Sequence, residues 1–207
     1  PLVSQDARRL AVRGTPDAAR QVRGGHPWVF DGSITSVRPD GVAGDLAVIF
    51  DDRRRFMAIG LYDPASPIRI KVLHRGRPTP IDDDFWSARL ADALALRAIV
   101  VDDPATTAYR WVHGENDGLP GLVLDRYGDA TVVKLYSAAW FAHLDAVVGA
   151  AQRVLPAERV VLRLARNVAA YRDRSDGTAL VGEVPDRAVR FLERGLAPGA
   201  PAIERHV

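Results

Sequence analysis

Between positions 20 and 28 the chain sets two arginines, a histidine and a tryptophan around a glycine pair: Arg20, Arg23, Gly24, Gly25, His26 and Trp28. That mixture suits single-stranded nucleic acid, which needs charge against phosphate, glycine for close approach and a π face for stacking. A second cationic set is Arg69 and Lys71, with Arg75 and Arg77 beyond them. Over residues 68–73 Ile68, Ile70 and Val72 alternate with Arg69 and Lys71, so a strand here is expected to have one apolar and one cationic face. The candidate RNA-binding residues are Arg20, Arg23, His26, Trp28, Arg69 and Lys71. The structural alternative puts Trp28 and Phe30 in a barrel core and leaves the arginines as solvated surface.

Other chemistries find less support. The run Gly114-Glu115-Asn116-Asp117-Gly118-Leu119-Pro120-Gly121 is glycine-rich. A phosphate cradle, however, needs a strand before it and a helix start after it, so that free amides face the anion. Here a strand pattern follows, so the run reads as a glycine-shaped turn in which Glu115 and Asp117 satisfy backbone amides. The histidines are 26, 74, 113, 143 and 206, and no pair has metal-ligand spacing. Asp82, Asp83 and Asp84 precede a helical pattern and read as a cap that complements the helix dipole; a metal site is the alternative. No Gly-x-Ser-x-Gly elbow is present. No spacing singles out two acids for a carboxylate hydrolase, a reading that two close acids in one pocket would revive. With no cysteine, disulfides, thiolate zinc sites, iron–sulfur clusters and cysteine nucleophiles are excluded. The expectation is therefore no catalytic, metal or cofactor-binding residue in this chain.

The 207 residues leave room for one large domain or two small ones. Apolar residues at 47% and charged residues at 26% describe an ordinary globular protein rather than a disordered one. The net charge of +2 hides a split. Residues 1–80 carry 13 Lys and Arg against 8 Asp and Glu, a net of +5, whereas residues 81–207 carry 15 against 18, a net of −3. The N-terminal part thus favours a polyanion. Only Lys71 and Lys134 are lysines, and arginine forks onto phosphate and stacks on bases better than lysine does. Apolar runs are too short to span a bilayer, and no basic-then-apolar leader opens the sequence, so a cytoplasmic protein with no membrane partner is expected.

These residues need a scaffold. Strand patterns at 8–13, 34–37, 46–50, 56–62 and 68–73, divided by Gly and Pro turns, suggest a small β barrel. A short helix over 15–23 fits between the first two, supported by Asp17 and stopped by Gly24-Gly25. Residues 77–81 form a proline-marked hinge. Beyond it the spacing predicts a helix from about residue 85, strands at 109–114, 121–127 and 130–136, a helix over 139–154 ended by Pro156, and a strand at 160–164. The fold class is α+β: a barrel over 1–76, an α/β (strand-helix-strand) domain over 82–184, and a Pro-, Gly- and Ala-rich linker or edge segment over 185–207.

Three stretches resemble a bacterial family of class I methyltransferases that act on large-subunit (23S) ribosomal RNA at carbon 5 of a cytosine. The first is Gly25-His26-Pro27-Trp28-Val29-Phe30 with Gly32, followed by Gly60-Leu61-Tyr62-Asp63-Pro64-Ala65-Ser66-Pro67-Ile68-Arg69. It is similar to the family's PUA-like RNA-binding domain. The second and most specific runs from Gly114 through Gly121 and Leu122-Val123-Leu124-Asp125-Arg126-Tyr127-Gly128. It is similar to the family's central α/β domain. The third is Asp173-Arg174-Ser175-Asp176 with Gly182-Glu183, where that central domain ends.

The resemblance implies a PUA-like barrel that grips ribosomal RNA and a central domain that positions it. In the family a Rossmann-like domain binding S-adenosylmethionine follows this point, and the sequence here stops before it. No glycine-rich strand-to-helix turn and no Asn-Pro-Pro or Asp-Pro-Pro motif occurs. Methylation at carbon 5 of a pyrimidine normally requires a thiolate attack on the ring, and this chain has no thiol. The implied role is RNA recognition for a catalytic domain in cis. A stand-alone adaptor without catalytic activity is the alternative.

Overall fold

The computed structural model describes residues 7–168, 175–184 and 189–192. Asp173 and Arg174 of the third stretch, His206, and all of 185–207 except 189–192 lie outside the described residues.

The chain opens with β1 (Arg9–Gly14), which turns Leu10 and Val12 inward and Arg9, Ala11 and Arg13 outward. Helix α1 (Pro16–Arg23) follows. Thr15 caps it by accepting from the Ala18 amide at 3.2 Å, Pro16 takes the first helical position, and Gly24 and Gly25 end it. Strands β2 (Trp28–Phe30), β3 (Ile34–Arg38), β4 (Leu46–Phe50), β5 (Phe56–Tyr62) and β6 (Ile68–Arg75) complete a six-stranded sheet in the order β2-β6-β5-β4-β1-β3. The pair β1/β4 is parallel and the others are antiparallel. The sheet curls into a half-barrel. Gly60 on β5 permits a close approach to β6: a Cβ there would sit 2.3 Å from the Lys71 carbonyl oxygen.

Helix α2 (Asp83–Ala95) begins at Asp82, whose carboxylate accepts from the Phe85 amide at 3.0 Å, with Asp83 and Asp84 in its first turn. A short α3 (Ala98–Val101) follows. A second sheet has the order β11-β10-β9-β8-β7, from β7 (Ala108–His113), β8 (Leu122–Tyr127), β9 (Ala130–Leu135), β10 (Arg159–Leu164) and β11 (Ala179–Val181). Its one parallel pair, β9/β10, is joined through α4 (Leu144–Val154), as a parallel crossover requires. The expected helix over 139–154 is a 3₁₀ segment, Ala138–His143, leading into α4. β2, α3 and β11 have no counterpart in the sequence reading, because three or four residues are too few to show a period.

Two apolar cores hold the elements. The smaller lies between α1 and the first sheet: Leu10, Val12, Val22, Ile49, Ile70 and Val72. The larger joins Leu46, Ile59, Leu61 and Leu73 from the other face of that sheet to Trp86 and Leu90 of α2, Trp111, Trp140 and Leu144. β6 is therefore covered on both faces, and Lys71 is buried where a solvated cationic face was expected.

Candidate nucleic-acid interface

Arg20 and Arg23 stand three residues apart in the last turn of α1. Arg20 pairs with Asp17 at 2.8 Å, and Arg23 reaches Asp51 at 3.4 Å. Both arginine side chains are more than half exposed. Ion pairs of such exposed cations are weak, so a phosphate can take over either guanidinium at small cost. The glycine bend that follows is fastened from behind: Arg75 donates to the Val22 carbonyl at 3.1 Å and to the His26 carbonyl at 2.6 Å.

His26, Trp28 and Phe30 then form an aromatic cluster with ring centroids 5.8 to 6.2 Å apart. Phe30 is exposed and Trp28 is half-buried, with its indole N–H donated to Glu115 Oε1 at 2.9 Å. Across the strand pair Trp28 lies opposite Lys71. The Lys71 ammonium donates to the Ile68 carbonyl at 3.0 Å and sits 3.6 Å from Asp63, which accepts the Ser137 hydroxyl at 2.6 Å. Burial pulls the Lys71 pKa below the usual lysine value, and Asp63 opposes that shift. Arg69 forks onto Asp31 at 2.9 and 2.5 Å and is largely covered.

The structure thus brings His26, Trp28, Arg69 and Lys71 together along β2 and β6. Arg20 and Arg23 stand apart on α1, with no bond to that cluster among the described residues. Each of the four cations has an aspartate partner: Asp17, Asp51, Asp31 and Asp63. Composition could not reveal these pairings, because the partners lie up to 38 positions away. A further basic set, Arg13, Arg38 and Arg54, lines a groove and has no immediate aromatic neighbour in sequence to mark it. Its one sequence signal is the alternation of Arg9, Ala11 and Arg13 along β1.

The glycine-rich run is a 3₁₀ turn, Gly114–Asp117, with Gly118 and Gly121 at φ of +69° and +76°. It connects antiparallel β7 and β8. Asp117 caps the His113 amide as expected, and it also receives both guanidinium arms of Arg97. Glu115 departs from the expectation: its carboxylate crosses to Trp28 rather than holding an amide of its own turn. No strand-to-helix cradle for a nucleotide or for S-adenosylmethionine arises at this turn. Among the described residues no group of three or more His, Asp or Glu is placed to hold a metal ion. No described helix is long and apolar enough to cross a membrane.

Residues 12–75 match the model of a PUA-like domain. A ribosomal RNA large subunit methyltransferase of Deinococcus radiodurans is 46% identical over 200 residues, covering 93% of this chain and 49% of that protein. The ribosomal RNA large subunit methyltransferase I of Alteromonas mediterranea is 33% identical over 181 residues, covering 87% and 46%. The chain spans about half the length of these curated relatives. Among solved structures, a SAM-dependent methyltransferase from Streptococcus mutans is similar with a TM-score of 0.75 at 15% identity, over 90% of this chain and 47% of that one. A methyltransferase crystallised with SAH is similar with a TM-score of 0.74 at 17% identity, over 92% and 47%. At these identities the structural likeness speaks for the fold.

Proposed function

We propose that this chain is the RNA-recognition part of a large-subunit ribosomal RNA methyltransferase, with cytosine carbon 5 as the methylated position. The observation that carries the reading is the 46% identity, along 93% of the chain, to a protein named a ribosomal RNA large subunit methyltransferase. The basic, PUA-like N-terminal third agrees with it. In this reading Arg20 and Arg23 take backbone phosphates, and His26 lies against a base at the glycine bend. Trp28, Arg69 and Lys71 hold the β2/β6 edge that presents them. The second sheet fixes the angle between this surface and the methyl-transfer domain, which we assign to the half of the relatives that this chain does not span.

S-adenosylmethionine would supply the methyl group in that other half. No residue described here is given a part in the transfer, and a chain without cysteine offers no thiolate to attack the pyrimidine ring. A cytoplasmic location is part of the same proposal, since ribosomal RNA is its substrate.

Fluorescence anisotropy with 23S ribosomal RNA fragments over a salt series tests the reading. Affinity is expected to fall with salt by about 0.7 in log–log slope per phosphate contacted. Arg20→Gln with Arg23→Gln should flatten the slope by roughly 1.4. Salt-independent binding, or none, would remove the proposal. An adaptor without an RNA role draws support from the exposed apolar side chains of Ile99 and Val100 on α3 and of Leu96 just before it, and it predicts that second outcome.

A further inference from the structure

The β1/β3 edge of the half-barrel, at the opposite end of the sheet from β2, carries a groove of about 550 Å³, lined by Ala11, Arg13, Ser36, Arg38, Phe50 and Arg54. Strand register builds it. On β1, Arg13 stands opposite Ser36 of β3 on one side and Phe50 of β4 on the other, while Ala11 stands opposite Arg38. Small Ala11 and Ser36 form the floor between long side chains. Arg54 enters from the β4–β5 hairpin.

One property distinguishes these arginines from the four cations of the α1 and β2/β6 surface. None of Arg13, Arg38 and Arg54 has a carboxylate within ion-pair distance, or any side-chain hydrogen bond, among the described residues. All three are exposed. Arg54 also holds φ at +59°, in the left-handed region that favours glycine. The hairpin closes around it through Arg54 N–H to Asp51 O at 3.0 Å and Asp51 N–H to Arg55 O at 3.0 Å. A glycine would satisfy that turn with less strain, so the fold does not call for an arginine at this position.

We infer that this groove is a second RNA-binding surface, taking a single-stranded stretch whose phosphates meet Arg13, Arg38 and Arg54 and one of whose bases lies against Phe50. The inference rests on the proposed RNA-recognition function. Charge complementarity selects the occupant. Three unneutralised guanidiniums around one aromatic ring are matched by phosphates alternating with π faces, whereas an acidic protein segment would leave the ring without a partner. Arg23 and Arg55 share Asp51, at the base of the hairpin that carries Arg54. The hairpin therefore joins this groove to the α1 surface, and one RNA strand can follow both.

The test uses the whole chain, a fluorescein-labelled oligouridine of about 16 nucleotides, a length of the order of one single-strand site, and the 23S fragments above. Arg13→Gln with Arg38→Gln should reduce affinity at least tenfold and lower the salt slope by about 1.4. Phe50→Leu should reduce affinity about fivefold or more with the slope unchanged. Arg54→Gly should raise the thermal midpoint while weakening RNA binding, opposite signs that a purely structural role cannot produce.

If the groove variants bind as wild type while Arg20→Gln with Arg23→Gln loses affinity, the groove is not an RNA site and the function proposed above stands. If wild type binds neither RNA, both fall together. If the groove variants lose binding to poly-glutamate but keep RNA, the groove serves an acidic protein and the inference is overturned.

Discussion

Trp28 Nε1 donates to Glu115 Oε1 at 2.9 Å, across 87 positions of sequence and across the junction of the two sheets. One partner belongs to the aromatic run of the barrel and the other to the glycine-rich turn of the second sheet. The two stretches most easily picked out in the sequence are therefore one piece of structure. Glu115 also stands close enough to Lys71 to favour its charged form, so the carboxylate serves indole and ammonium together.

Glu115→Ala is expected to cost about 1–2 kcal/mol, the usual range for a partner removed from a part-buried hydrogen bond. Glu115→Gln, which keeps an acceptor, should cost less. The readout is local as well as global. Trp86, Trp111 and Trp140 are fully buried, so acrylamide quenching reports on Trp28 and should rise in the alanine variant. Unchanged quenching would mean that Glu115 does not hold the indole.

Lys71 and Asp63 are both about 95% covered, with Ser137 bound to the acid from the second sheet. Removing one member of a buried pair strands the other, at roughly 3–5 kcal/mol. Asp63→Asn should show that loss in urea unfolding. Adding Lys71→Met should recover much of it, since no buried charge then remains. A Lys71 variant that loses RNA affinity would also have lost stability, so Arg20 and Arg23 are the better probes of RNA contact.

The sequence alone identifies β1, α1, β3 to β6, α2, and β7 to β10 to within a few residues, because Gly and Pro punctuation and apolar period agree in each. It does not show what lies on the second face of β6. Alternation of Ile68, Ile70 and Val72 with Arg69 and Lys71 looks like a half-solvated strand. The structure puts Leu73 and its neighbours against α2 and Trp140, so the polar side of that strand is closed too. The arginines chosen from their proximity to Trp28 are the ones that found aspartates. Those of the groove come from β1, β3 and a hairpin and converge only through strand register, which one sequence read by local spacing does not contain. The role of Glu115 is hidden from local spacing for the same reason: its partner is in another element.

His143 supplies a pH signature. Its ring is buried 5.6 Å from Trp86, and Nε2–H donates to the Gly44 carbonyl at 2.8 Å. Burial holds its pKa below the ordinary value of 6.5, with the Gly44 carbonyl and nearby Asp45 opposing. Below pH 6.5 the unfolded chain therefore takes up the proton before the folded one does. Stability should fall with acidification from there to the folded pKa, at no more than about 1.4 kcal/mol per pH unit, and level off below it. His143→Gln keeps a donor for Gly44 and should flatten that window. A wild type with no slope in this range would show that His143 is not held neutral.

Arg97 shows how the glycine-rich turn keeps its shape. Its guanidinium forks onto Asp117 at 2.8 and 2.7 Å and also donates to the carbonyls of Ala93 and Arg110, both at 2.9 Å. The acid is buried and the arginine mostly so. A lysine keeps the charge but has one nitrogen where the site uses three, so Arg97→Lys leaves at least one of these four acceptors unmet. The expected loss is about 2–4 kcal/mol, well above that of a surface charge swap. Because Asp117 and Glu115 share one turn, Arg97→Lys should also increase acrylamide quenching of Trp28. Stability lost without any change at Trp28 would mean that the turn holds its form independently of its anchor at Arg97.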